Sequence, residues 1–134
     1  MRLPAGWELS EKMSLDLSMS VLVVNDHQPT ASIVSNTLKQ IGFENIDAAR
    51  DAAAALKKLQ SKNYGLVISE DSMKPVSGGD LLREIRSNPR FATTPFLLLT
   101  AGERKIEETA PCATFARPFN AQMLHQRIAA VLTY

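Results

Sequence analysis

The sequence predicts an α/β protein, a doubly wound five-stranded parallel sheet with helices on both faces. Three observations carry this expectation. Short apolar runs recur along the chain, at Val21-Leu22-Val23-Val24, Leu66-Val67-Ile68 and Phe96-Leu97-Leu98-Leu99. They lack the polar alternation of a half-exposed strand, as strands covered on both faces do. Between them lie stretches with apolar residues at helical spacing, and strand–helix alternation along the whole chain implies parallel pairing through right-handed crossovers. Finally, the runs stop at polar or acidic residues, Asn25-Asp26, Glu70-Asp71 and Thr100. An open sheet of this kind builds its site outside the carboxyl ends of its strands, where the strand order reverses.

Taken in order, residues 1–19 read as an N-terminal extension ahead of a domain covering residues 20–134. Leu15, Leu17, Met19, Val21 and Val23 follow a near period-2 pattern, so either the first strand starts early or the extension lies along the sheet. A disordered leader, with Met13 or Met19 near the domain edge, is the alternative. After the first strand, Pro29 sits where a first helical turn tolerates proline. Ile33, Val34, Leu38 and Ile41 supply a one-sided stripe, and Gly42 stops that helix. A second strand covers about Asn45 to Ala48. Asp51 can cap a helix whose inner face is Ala52, Ala55, Leu56 and Leu59. The third strand ends at Glu70. After it come a loop with Pro75, the Gly78-Gly79 pair, and a helix lined by Leu81, Leu82 and Ile85. Strand four is Pro95 to Thr100. A charged segment from Glu103 to Thr109, broken by Pro111, leads to a brief strand at Thr114 to Ala116. Asn120 then caps a last helix with Leu124, Ile128, Val131 and Leu132 inside.

Bulk properties narrow the function. The 134 residues suit one domain with a real core. Fifteen basic against fourteen acidic residues leave a formal charge of +1, which gives no global field toward nucleic acid or a membrane surface. The single Cys112 forms no internal disulfide, suits a reducing compartment and is expected as a small buried hydrophobe. No apolar run reaches the length of a membrane span or signal-peptide core. The expectation is a soluble, cytoplasmic protein. His27 and His125 lie far apart and read as solvated rather than as metal ligands. Gly78-Gly79 is neither a phosphate-binding loop nor a dinucleotide fingerprint.

From about Ser20 to the C-terminus the chain resembles the receiver domains of two-component response regulators. Val23-Val24-Asn25-Asp26 stands where that family has an acidic pair. Leu66-Val67-Ile68-Ser69-Glu70 stands on the strand that ends in the phospho-accepting aspartate. Leu98-Leu99-Thr100-Ala101 matches the strand with the conserved hydroxyl, and Arg117-Pro118-Phe119 matches the family's Lys-Pro-Phe. The spacings from Asp26 to Glu70 and from Glu70 to Thr100 are ordinary for receivers. The resemblance implies a flavodoxin-like sheet of order 2-1-3-4-5 and a cis peptide at Arg117–Pro118. It also implies a chemistry in which the aspartate attacks a phosphohistidine while magnesium neutralises the phosphoryl oxygens.

Residue by residue, much of that set is altered. Glu70 occupies the acceptor position. Asp71, followed by Pro75 and Gly79 at family-like intervals, is the less favoured acceptor, because placing it there needs a gap on each flank. Asn25 replaces one acid, which leaves Asp26 and Glu70 as the charged metal ligands and magnesium binding weak or absent. Arg117 replaces the lysine, and its planar fork suits a bidentate pair with a carboxylate such as Glu70. Thr100 and Arg117 are thus the phosphoryl-pocket equivalents of a degenerate site. Thr114 stands at the family's switch-aromatic position. The stretch from Thr100 to Arg117 is several residues shorter than usual, which shortens the fourth helix of the five.

These departures lead to the expectation of a single-domain, non-enzymatic receiver, a bacterial protein-interaction module whose state is independent of aspartyl phosphate. No effector domain is expected after Tyr134, and its output is therefore expected from contacts made by this domain. The expected partner is a histidine kinase or another signalling protein, with no cofactor beyond weak magnesium and an oligomeric state the sequence leaves open. Two alternatives stand beside this reading. One is a receiver still phosphorylated at Glu70 or Asp71. The other is a flavodoxin-like ligand-binding domain or enzyme using the same rim, which a bound chromophore in the purified protein would mark.

Overall fold

The computed structural model describes residues 16–100, 112–116 and 121–132, the segments 112–116 and Ala121 as backbone alone. Five strands, β1 (Ser20–Val24), β2 (Asn45–Ala49), β3 (Leu66–Glu70), β4 (Phe96–Thr100) and β5 (Cys112–Ala116), form one sheet in the order β2-β1-β3-β4-β5. Every adjacent pair is parallel. Among the described residues four helices connect or follow them: α1 (Gln28–Ile41), α2 (Ala52–Ser61), α3 (Gly78–Ser87) and α4 (Ala121–Leu132). The predicted doubly wound architecture and its strand order are those observed. No described helix is long and apolar enough to cross a membrane.

The continuous apolar runs now have a physical reason. Successive strand side chains point to opposite faces, and both faces are covered. Val21, Val23, Leu66, Ile68, Leu97 and Leu99 join a core with Val34 and Leu38 of α1 and Leu124 and Ile128 of α4. Leu22, Val24, Val67, Phe96 and Leu98 point the other way, onto Ala55 and Leu59 of α2 and Leu81 and Ile85 of α3. Each fully buried side chain of this kind contributes roughly 1.5–3 kcal/mol of apolar transfer.

Local signals start and stop the helices. Asp51 accepts from the Ala54 amide at 2.8 Å and opens α2, as its N-cap position predicts. Ser77 does the same for α3 through the Asp80 amide at 3.1 Å. Gly42 ends α1 at φ +125°, its amide returning to the Leu38 carbonyl at 3.1 Å. That conformation is open to glycine and strained for a residue with a Cβ.

Two expectations need correction, and one element was not anticipated. Ile33 is exposed, not part of the inner stripe of α1, whose buried residues are Ala31, Val34, Leu38 and Ile41. The small Ala31 holds the inner face, and Ile33, one position before Val34, is turned to solvent. His125 is buried, not solvated, because the inner face of α4 is wide enough to include it beside Leu124, Ile128 and Ala129. A short 3-10 turn at Pro89–Phe91, unread in the sequence, adds Phe91 to the core, and Arg86 Nη1 donates to its carbonyl at 3.1 Å. As for the extension, the first strand begins at Ser20, and Leu17 and Met19 already pack against the core. Residues 1–15 lie outside the described residues.

The edge strand β2 is held by a three-residue cluster. Asp47 accepts from the Tyr64 hydroxyl at 2.7 Å and from Lys62 Nζ at 2.9 Å. The hydroxyl first, and then the ammonium, hold the Asp47 carboxyl below the usual carboxylate range, while burial and then the same bond push the Tyr64 hydroxyl up. A carboxylate whose folded pKa is depressed stabilises the fold above its unfolded value near 3.9, and this contribution fades as pH falls through the lower folded value. Because Asp47 is about one-third exposed, screening keeps the effect below about 1 kcal/mol. Asp47→Asn should therefore lower the urea midpoint at neutral pH, and the gap from the wild type should close only as pH falls below the unfolded value and through the lower folded one. A gap that is constant with pH would show that ionisation of Asp47 is irrelevant.

Candidate functional site

The carboxyl ends of β1, β3 and β4 meet on one rim. Past the register pairs Val24–Ser69 and Glu70–Leu99, the next residues in line are Asn25, Asp71 and Thr100. Asn25, Glu70, Asp71 and Thr100 are all buried, at 4%, 4%, 5% and 2% exposure, whereas Asp26 is exposed. Of the predicted acidic pocket, Asn25 and Glu70 are thus drawn below the surface together, and Asp26 stands above them at the solvent edge. Arg117 lies outside the described residues. So do the Arg117–Pro118 bond and the shortened segment between β4 and β5, while the side chains of Cys112 and Thr114 are not described.

Asn25 is already committed. Its Oδ1 accepts from the His27 backbone amide at 2.9 Å, and its backbone N–H donates to the Ala49 carbonyl at 3.0 Å. Since an N–H can only donate, this contact fixes which end of the carboxamide is oxygen. Nδ2 therefore faces away, buried and with no hydrogen-bond partner. A buried donor left unmet costs about 1–3 kcal/mol.

Asp71 anchors the loop after β3, a role that residue identity alone did not reveal. Its amide donates to Leu99, its carbonyl accepts from Met73 and Gly78, and its Oδ1 accepts from the Gly79 amide at 3.0 Å. The carboxylate thus sits at the first turn of α3, where the helix dipole and free amides favour negative charge. The loop it fastens closes on the strand so tightly that a Cβ on Gly78 would run into the Glu70 carbonyl oxygen and lie 2.9 Å from Asp71 Cα. Only glycine fits there. The Lys74–Pro75 bond in this loop is cis. The spacing Asp71 to Gly79, read above as family-like, was the available clue to this capping.

The chemistry of the rim follows from its donors. Of the two buried carboxylates, Asp71 is bonded to the Gly79 amide, and Glu70 ends the central strand next in line to a carboxamide whose oxygen is engaged. Among the described residues no group of three or more His, Cys, Asp or Glu side chains is placed to hold a metal ion. His27, expected to be solvated, is exposed, and its Nδ1 lies 2.7 Å from the Thr30 hydroxyl.

A parallel 2-1-3-4-5 sheet with an acidic centre at its carboxyl rim defines a flavodoxin-like receiver. Residues 21–128 match the family described as response regulator receiver domain. Chemotaxis protein CheY of Pseudomonas aeruginosa is 33% identical over 115 residues, covering 82% of this chain and 93% of the relative. Among solved structures, CheY4 of Vibrio cholerae superposes with a TM-score of 0.72 at 26% identity, covering 85% of this chain and 98% of that one. The response regulator TrrA of Thermotoga maritima, solved in complex with Mg(2+)-BeF, gives a TM-score of 0.74 at 28% identity over 84% and 98%. This chain belongs to the response-regulator receiver family of two-component signalling.

Proposed function

We propose that this chain is an atypical receiver, a protein-interaction module that signals without an aspartyl phosphate. The observation that carries the reading is the pairing of Glu70, at the acceptor position, with a buried Asn25 whose Oδ1 is held by the His27 amide. One added methylene moves the attacking carboxylate by about 1.5 Å, and a misplacement of about 1 Å can cost on the order of 10²-fold in rate. Glu70 instead places a fixed negative charge near the position an aspartyl phosphate would take. Arg117, in place of the family's lysine, is suited to pair with it.

A magnesium ion fits this donor set poorly. Mg²⁺ needs near-octahedral oxygen ligands and gives up its waters reluctantly. Here the ligand positions offer an exposed Asp26, a buried Glu70 and a carboxamide oxygen already engaged. Binding by Asp26 and Glu70 is therefore weak. Asp71 is disfavoured as an alternative acceptor, because its Oδ1 is occupied by the Gly79 amide. In this reading residues 20–134 form the domain and residues 1–19 its extension. The protein acts in the cytoplasm without enzymatic turnover, and its partner is a histidine kinase or another signalling protein.

The test is direct. After incubation with acetyl phosphate and Mg²⁺, intact mass should show no added phosphoryl group, and beryllofluoride with Mg²⁺ should leave the amide NMR spectrum unchanged. A phosphorylated species mapping to Glu70 or Asp71 would overturn the reading.

A further inference from the structure

Helices α1 and α4 lie side by side on one face of the sheet, joined through Val34 and Leu38 of one and Leu124 and Ile128 of the other. Among the described residues only two large apolar side chains are exposed, Ile33 at 59% and Met123 at 41%, and one falls on each of these helices. Gln28 and Ala31 line a crevice with Ala48 of the edge strand β2. The other flank of α1, with Thr30, Ile33 and Thr37 at helical spacings of three and four, therefore lies on the side of α4. Met123, Gln126 and Ala130 share that spacing and are all exposed on α4. We infer that this strip across α1 and α4 is a docking surface for a second copy of the same chain, related by a two-fold axis.

The surface chemistry favours self-association over a different partner. Neither helix carries an acidic residue, and their only lysine and arginine, Lys39 and Arg127, lie outside the strip. Both hydroxyls within it are engaged inside the molecule. Thr37 Oγ1 donates to the Ile33 carbonyl at 2.8 Å, and Thr30 Oγ1 lies 2.7 Å from His27 Nδ1. The strip thus presents mainly apolar groups and the Gln126 carboxamide, which carries donors and an acceptor and can pair with its own copy. Depletion of charge is the mark of an interface core. A foreign partner is selected by complementary charge, and the strip offers none. An isologous contact asks only that the surface be complementary to itself. Area sets the strength: two helices about 20 Å long and about 10 Å apart present a face of roughly 400 Å². That is about half of the roughly 800 Å² per partner of a standard stable interface, so the dimer is weak and depends on concentration.

Sedimentation equilibrium of the full-length protein over a roughly hundredfold range of concentration tests this. The wild type should pass from monomer to dimer, and NMR amide shifts on dilution should fall on α1 and α4. Ile33→Glu and Ala130→Glu bring like charges together across the two-fold from exposed positions. Each should raise the dissociation constant about tenfold or more while leaving the urea midpoint of the dilute protein unchanged. Lys57→Glu, exposed on α2, should dimerise as the wild type does. None of these residues belongs to the receiver rim, so the result stands apart from the phosphorylation test. A wild type that stays monomeric throughout would overturn the assignment. So would dilution shifts confined to β2 or to residues 1–15, or wild-type dimerisation by both glutamate variants.

Discussion

Glu70→Asp should remain unlabelled by acetyl phosphate and Mg²⁺, and the triple variant Asn25→Asp, Glu70→Asp, Arg117→Lys should label at least on the order of 10²-fold more. The single change restores the length of the acceptor and nothing else. The carboxamide of Asn25 still presents one oxygen, bonded to the His27 amide at 2.9 Å, where a second carboxylate would offer an additional charged ligand to the metal. Arg117 still carries a bulky, always-charged guanidinium in place of a compact ammonium. In the triple variant the new aspartate at position 25 can keep the His27 contact through one oxygen and turn the other to a metal. Intact mass spectrometry over a time course reads both variants. Robust labelling of Glu70→Asp alone would mean that one methylene was the sole obstacle, and the proposed locking of the site would be wrong.

Asp71→Ala should lower stability by about 2–3 kcal/mol in urea unfolding at neutral pH while leaving the phosphorylation result unchanged. A hydrogen bond to a charged group contributes about 1.5–3 kcal/mol, and its removal leaves the Gly79 amide unmet at a buried helix start. The backbone contacts from Met73 and Gly78 to the Asp71 carbonyl survive the substitution, so the loop should loosen at the first turn of α3 rather than detach. Asp71→Asn retains an acceptor oxygen and should recover most of the loss. If Asp71→Ala were as stable as the wild type, the carboxylate would have no anchoring role, and its standing as a possible acceptor would rise.

Much of the fold was legible because its causes are local or periodic. Apolar runs of strand length, Asp51 before an apolar stripe, Gly42 after one and Pro29 in a first turn each specify a conformation through sterics or a single hydrogen bond. Strand β2 was read from its flanking signals, and its observed end at Ala49 lies one residue beyond the expected end. The charge change at the site was equally legible. That Glu70 and Asn25 stand at the ends of neighbouring strands follows from register, which the parallel alternation and spacing imply.

Other features depend on which faces come together. Periodicity alone could not separate Ile33 from the inner stripe, since neighbours on a helix lie about 100° apart and only the packed core shows where the boundary runs. His125 is polar by type and buried by position. Asp71 reads as a spare acid until the loop folds back and sets the Gly79 amide against it. Composition, periodicity and caps by themselves determined the layers, the strand ends and the residues that stand there. Only the tertiary structure decided which carboxylate is an anchor and which amide is left without a partner, because each depends on distances between segments that sequence spacing does not encode.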